Sequence, residues 1–313
     1  MNYPIISKEY LTKYANKIFK IVGEKQLNNE SVNAQTIQDY YKGSSIYYRT
    51  FHSPDGAMHL PIEFSRSEKH KDKLLYQAKS VKKLIEENNY KEVLELGCGM
   101  GFNSGYLASQ LPKVNFTAID LTEDNIHRAT KKHNGKSNLK FLLGNFDKAQ
   151  FGEKKYDLVF AIETLCHSEN VVSVLESLKS FLNPGGRIII YDGYINPETP
   201  ELTKEIIQAH KMISWGFAMS SFQELKEILN SEKLNAFDVC ELKDYTQNIL
   251  PNYRIILKGS SVGLTFPLLL KFLIAIKLVS PALIKQFSAG IFGYYLLQEK
   301  YLGYYKLELV YKP

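Results

Sequence analysis

The feature that most constrains this chain is a regular alternation between two hydrophobic periods. Short apolar runs with a strand-like period stand at "KEVLEL" (91–96), "NFTAID" (115–120), "LKFLLG" (139–144), "YDLVFAI" (156–162) and "RIIIYD" (187–192). Between and around them, "HKDKLLYQAKSVKKLIEENN" (70–89) and segments 103–110, 123–133, 169–182, 201–214 and 220–231 place apolar residues near helical spacing. Strands that alternate with helices in this way build βαβ units around a parallel sheet. Two further strand candidates, near 236–243 and 304–311, bring the expectation to seven strands, the last inserted antiparallel. The fold class is α/β, with helices on both faces of a mostly parallel sheet.

The rest of the chain is read as additions to that core. Residues 1–75 are expected to form an amino-terminal helical cap, with the helix "SKEYLTKYANKIFKIV" followed by the aromatic-rich loop "DYYKGSSIYYRTFHSPDGAMHL" (39–60). The core is assigned to 76–257, an apolar, basic helical insertion to 258–300 and the final strand to 301–313. Residues 251–313 hold eight Lys/Arg against two Glu, which accounts for the whole net charge of +6. Within them "LTFPLLLKFLIAIKLVSPALI" (264–284) is the most apolar stretch, but Pro267, Lys271, Lys277 and Pro281 interrupt it, so it is not expected to span a bilayer. A buried hairpin, an interfacial membrane contact and a lid over an apolar substrate remain open for it. The amino terminus shows no continuous apolar signal region, which gives a cytoplasmic expectation, with membrane association open through 258–300. Cys98, Cys166 and Cys240 form no CxxC pair, so neither a disulfide framework nor a metal site is expected.

Behind the first core strand stands "VLELGCGMGFNSGYLA" (93–108). Gly97, Gly99 and Gly101 occupy the first strand-to-helix turn, where a doubly wound sheet binds ligands and where bare backbone lets a ligand approach. The helix that follows offers free N–H groups to an anion. The dinucleotide pattern G-x-G-x-x-G fails in either register, because position 102 is Phe and position 104 is Ser. What stands there is E-x-G-x-G-x-G, headed by Glu95.

That motif resembles the first motif of the class I S-adenosylmethionine-dependent methyltransferases, a Rossmann-like family, and the later segments match it in order. The resemblance implies S-adenosylmethionine as cofactor. It places Glu95, Gly97, Gly99, Gly101 and Asn103 around the methionine end and Asp120, with Leu121 and Asn125, at the ribose. Asn145 and Phe146 of "LLGNFDKAQF" would face the adenine, Asn145 standing where the family carries an acid, and Ile162 closes the fourth strand beside the cofactor. "FAIETLCHSEN" (160–170) is similar to the acceptor segment of the sterol and tocopherol methyltransferases. It offers Glu163 to stabilise a cation or relay a proton and His167 as a base, while Cys166 is read as packing. The aromatic loop resembles the segment that folds over the active site in the same group. Tyr48 is a catalytic candidate there and Tyr41, Tyr47, His52 and His59 would line the acceptor pocket, electron-rich rings suiting a developing positive charge.

The reading is a methyltransferase for a hydrophobic small molecule, isoprenoid, sterol-like, polyketide or lipid, with methylation at carbon slightly favoured over oxygen. The acceptor is expected between the cap and the insertion. Nucleic acid is not an expected partner, because no N/D-P-P-Y/F signature follows the fourth strand and the basic residues are interleaved with aliphatic ones. The alternatives are a methyltransferase-like binding subunit without turnover, or an oxygen or nitrogen methyltransferase that uses His167 as base.

Overall fold

The computed structural model describes residues 7–29, 32–47, 50, 52–151 and 154–313. Three helices come first: α1 (Lys8–Val22), α2 (Glu24–Asn29) and α3 (Ala34–Tyr47). The Ser7 hydroxyl caps α1 by accepting from the Tyr10 N–H, and Gly23, at φ 84°, ends it. Helices α4 (His70–Leu74) and α5 (Tyr76–Asn88) lead into β1 (Glu92–Leu96). The alternation then runs α6 (Phe102–Gln110), β2 (Asn115–Asp120), α7 (Glu123–Lys132), β3 (Leu139–Leu143), β4 (Tyr156–Ile162), α8 (Val171–Leu178) and β5 (Leu182–Ile195). After α9 (Lys204–Gly216) and α10 (Leu225–Leu229) come β6 (Phe237–Asp244), α11 (Thr246–Gly263), α12 (Pro267–Ala275), α13 (Ala282–Gln298) and β7 (Leu302–Tyr311).

Two compact units result. The described part of Met1–Ser45 groups with Ile195–Phe222 and Leu250–Gly303, and the second unit comprises Ile46–Tyr194, Gln223–Ile249 and Tyr304–Pro313. The segment expected to act as one cap, 1–75, is therefore divided, its part from residue 46 onward running with the sheet. The loop expected over 39–60 is helical as far as Tyr47, since α3 continues through "DYYKGSSIY". The single helix expected over 70–89 breaks at Leu75.

In the sheet unit the strand order is β3-β2-β1-β4-β5-β7-β6. Strands β1 to β5 pair in parallel where they adjoin, and β7 runs antiparallel to β6. Buried charge helps to seat the last strand, because Arg187 on β5 pairs with Glu308 on β7 and Lys306 on β7 pairs with Glu241 on β6. Leu94, Leu96, Val159, Ala161, Ile188 and Ile190 point to the face packed by Val174, Leu175 and Leu178 of α8. Their alternates Val93, Ala118, Phe160 and Ile189 are equally buried, as a parallel sheet covered on both faces requires. Strand order reverses between β1 and β4, and the carboxyl ends of these two strands flank the crevice at the switch point.

In the helical unit α13 packs along α9, and α12 lies on α1. Helix α13 is buried along most of its length, with Ile291, Phe292 and Leu296 inside. Helix α12 is the opposite case, burying only Leu270. The apolar stretch 264–284 is thus largely uncovered and does not form the interior of a globular core.

Candidate active site

The turn after β1 is a tight one, closed by the Gly101 N–H donating to the Cys98 carbonyl and by the Cys98 N–H donating to the Ile119 carbonyl, both at 2.9 Å. Gly97, Gly99 and Gly101 all take positive φ, at 63°, 53° and 71°. Their reasons differ. A Cβ on Gly97 would sit 2.3 Å from the Thr164 methyl, and one on Gly101 2.7 Å from the Phe141 ring, so these two are bare because the protein itself occupies the space. A Cβ on Gly99 would meet nothing nearer than the Met58 sulfur at 3.5 Å. Of the three, only Gly99 could carry a Cβ without a clash, since Met58 lies at ordinary van der Waals distance.

Four carboxyl groups converge near the carboxyl ends of β1, β2, β4 and β5. Glu95 is buried and accepts from the Ser104 N–H at 3.1 Å and the Asn103 amide at 3.4 Å, capping the first turn of α6. Burial pushes its carboxyl up to about 7. Asp120 accepts from the Gly99 N–H at 2.9 Å through Oδ2, and from the Thr122 N–H at 2.8 Å and the Asn125 amide at 3.1 Å through Oδ1. Burial raises its pKa as well. A carboxylate offers about four lone-pair sites; these three donors fill most of them and the Thr122 side chain bears on the same group, so Asp120 is nearly saturated while facing the glycine turn. Holding two ribose hydroxyls at once would require one of its present donors to give way.

Glu163 follows β4 in a left-handed conformation, φ 49°, which costs a non-glycine residue free energy and marks functional segments. Its Oε1 accepts both the Leu60 N–H at 2.7 Å and the Tyr304 hydroxyl at 2.9 Å. Removal from water pushes the carboxyl up to about 8, with the negative charge of Asp192 adding to the effect. Asp192, the fourth acid, accepts from the Thr164 and Cys166 N–H groups at 3.2 and 2.9 Å and from its neighbour Gly193 at 2.9 Å. It thereby fixes the backbone on either side of Leu165. Burial carries it to about 6.

The segment before α4 is tied to the same place. The His59 Nε2 lies 3.3 Å from Asn103 Oδ1, and Asn103 in turn donates to Glu95. The His59 ring packs edge-on to Phe102, and burial lowers its pKa to about 4, so it is neutral near pH 7. His52 lies 2.8 Å from the His59 carbonyl through Nε2 and packs against His70. His167 sits half-buried in the short 3₁₀ turn Leu165–His167. Burial raises the Cys166 thiol well above its usual range, which suits packing. Ile162 is buried at the end of β4, and Leu121 follows β2 half-buried. The Asn145 side-chain oxygen, the expected adenine acceptor, accepts from the Asp147 N–H at 2.9 Å in a local turn, which uses one of its two lone pairs. Phe146 beside it rests half-buried against the sheet core. Tyr41 lies half-buried on α3 in the helical unit, edge-on to Tyr40. Tyr48 and the Tyr47 side chain lie outside the described residues.

Sequence reasoning missed Asp192, Tyr304 and the Leu60 N–H. Asp192 had a signal, since it stands near the end of the fifth core strand as Asp120 ends the second. Tyr304 had none, because it lies 141 residues from the carboxyl it meets.

No positively charged side chain pairs with Glu95, Asp120, Glu163 or Asp192 among the described residues. Three buried carboxyls and a half-buried fourth, Glu163, without a cation are suited to a ligand that brings positive charge, as a sulfonium and an ammonium group do. The glycine turn, the order of the strands and this acid cluster together define the Rossmann-like fold of the class I S-adenosylmethionine-dependent methyltransferases. The model of a methyltransferase domain family matches residues 87–252, more than half of the chain. The chain belongs to that family, whose methyl donor is S-adenosylmethionine.

Among curated relatives, a malonyl-[acyl-carrier protein] O-methyltransferase of Ilyobacter polytropus is 29% identical over 140 residues, 45% of this chain and 53% of that protein. A 24-methylenesterol C-methyltransferase of Arabidopsis thaliana is 24% identical over 246 residues, covering 70% of this chain and 68% of the relative. The chain thus spans only about half the length of the first of these relatives. In solved structures, the cyclopropane synthase MmaA2 from Mycobacterium tuberculosis superposes with a TM-score of 0.70 at 13% identity, over 90% of this chain and all of that one. A geranyl diphosphate C-methyltransferase from Streptomyces coelicolor gives 0.58 at 13% identity, over 87% and 98%. These two likenesses establish the fold.

Proposed function

We propose that this chain transfers a methyl group from S-adenosylmethionine to an apolar small molecule, lipid- or sterol-like, at a position facing Glu163. The observation that carries the reading is the state of Glu163 itself: strained backbone, one carboxyl oxygen fixed by two donors, and an affinity for protons raised into the neutral range. When bound, the cofactor supplies an electrophilic methyl on a positively charged sulfur. Gly99, Glu95 and Asp120 would hold it, with Asn103 and Asn125 steadying the two acids. Asp192 positions the Thr164 to Cys166 backbone, and His59 links the segment before α4 to Asn103 and Glu95.

A carboxyl about half ionised near pH 8 can accept a proton from an acceptor carbon that has gained a methyl and positive charge, or from an acceptor hydroxyl. Methylation at carbon is preferred here because Glu163, through the oxygen opposite the fixed one, can both balance a transient cation and take up its proton. The sterol C-methyltransferase relative supports that preference, whereas the acyl-carrier-protein relative methylates oxygen.

The test is label transfer from methyl-labelled S-adenosylmethionine into a panel of sterols, polyprenyl compounds, fatty acids and acyl-carrier thioesters, with wild type and Glu163→Gln. Turnover should appear on an apolar acceptor, rise with pH towards about 8, and fall at least 100-fold in the variant with cofactor affinity nearly unchanged. Equal loss of cofactor affinity would move Glu163 to the cofactor side and remove the support for methylation at carbon.

A further inference from the structure

The apolar stretch that the fold leaves uncovered has a composition of its own. Eight of the fourteen large apolar side chains exposed among the described residues fall between Ile255 and Leu278. Val262, Phe266, Leu268, Leu269, Phe272 and Leu278 are each between 55 and 71% exposed. Single exposed leucines are ordinary, but a cluster of this density on two consecutive helices marks an interaction surface.

The charge on the same segment is one-sided. From Thr246 to Gln298 there is no Asp or Glu, against Arg254, Lys258, Lys271, Lys277 and Lys285. Lys258, Lys271 and Lys277 are exposed, and none forms an ion pair among the described residues. A second copy of this chain seated on the surface would bring the same cations together with no carboxylate between them. An anionic lipid headgroup layer meets both requirements, since it accepts the apolar side chains below and the ammonium groups at its surface.

Helix geometry argues for lying on a bilayer, although α11 and α12 taken together have the length and composition of a bent span. No single helix among the described residues is long and apolar enough to span, and α11 and α12 meet at a bend of 82°. Helix α12 has nine residues, about 14 Å of rise, against a hydrocarbon thickness of about 30 Å.

We propose that the α11–α12 face is a docking surface for an anionic membrane, with Phe266, Leu268, Leu269 and Phe272 entering the acyl boundary and Lys258, Lys271 and Lys277 facing the headgroups. This surface is independent of the reading of Glu163, so its failure would leave the proposed methyl transfer intact.

The experiment is flotation of the full chain with phosphatidylcholine vesicles and with vesicles containing about one-third phosphatidylglycerol, at near-physiological salt. Two variants accompany it, Leu268→Ser/Leu269→Ser/Phe272→Ser and Lys258→Gln/Lys271→Gln/Lys277→Gln, both confined to exposed side chains. Wild type should float with the anionic vesicles and weakly with the neutral ones. The lysine variant should lose affinity for the anionic vesicles by about 100-fold, as three charges near a headgroup layer require, and the apolar variant should not float. The proposal fails if wild type floats with neither vesicle, or if wild type and the apolar variant float alike. It also fails if light scattering finds a dimer that the apolar variant dissociates, since a second copy would then own the face.

Discussion

Glu163 offers a quantitative test that needs no substrate. Its carboxyl ionises at about 8 in the folded chain and at the usual value of 4.5 when unfolded. A carboxyl whose proton is held more tightly in the folded state adds stability below the unfolded value, and that stability is lost as pH rises through the folded one. Between pH 6 and pH 9 the expected loss from this group is about 3 kcal/mol, at 1.36 kcal/mol for each pH unit over which folded and unfolded states differ by one proton. Glutamine keeps the volume and the acceptor oxygen for Leu60 and Tyr304 but cannot ionise. The wild-type protein should therefore lose up to about 3 kcal/mol relative to Glu163→Gln over that range. Urea unfolding of both proteins at pH 6 and pH 9 measures it, and the difference between the two differences cancels the titration of remote groups. If wild type and variant lose the same stability, Glu163 is ionised throughout, and neither its strained conformation nor its two donors can be tied to proton handling.

The two kinds of glycine should separate cleanly. Gly97→Ala forces a methyl to within 2.3 Å of Thr164 and should cost roughly 3 kcal/mol or more. Gly99→Ala bears mainly its positive φ, about 1–2 kcal/mol, and should weaken cofactor binding more than folding; thermal unfolding beside calorimetric titration tells them apart, and equal losses of stability would contradict the distinction. Asp120→Ala should lower S-adenosylmethionine affinity roughly 100-fold, from the loss of charge-assisted hydrogen bonds. In wild type the same affinity should rise as pH increases towards and past about 7, where Glu95 ionises; calorimetry at pH 5.5 and 8 showing no change would remove the electrostatic account of the acid cluster.

How much was legible in the sequence follows from the range of each interaction. The strand and helix periods and the glycine turn are local properties: they depend on neighbours within one element, and β2 and β4 fall where the patterns at 115–120 and 156–162 placed them. Glu95, Asp120 and Glu163 were readable because each stands at the carboxyl end of its own strand, and parallel strands carry those ends to one edge. The length of α3 was not, since the turn-like polar run "KGSS" stays helical. The engagement of the Asn145 oxygen in its own turn was not either, because short polar side chains choose between neighbours and distant groups only in a given backbone.

The sequence by itself determined the class of fold and the crevice, through periodicity and a run of residues that tolerate positive φ. Only the tertiary structure decided why Gly97 and Gly101 are bare, that Tyr304 and the Leu60 N–H grip Glu163, and that the most apolar segment lies in the open. The physical reason is that each of these rests on contacts between residues far apart in the chain, whose meeting is set by strand order and helix packing and leaves no periodic trace along the sequence.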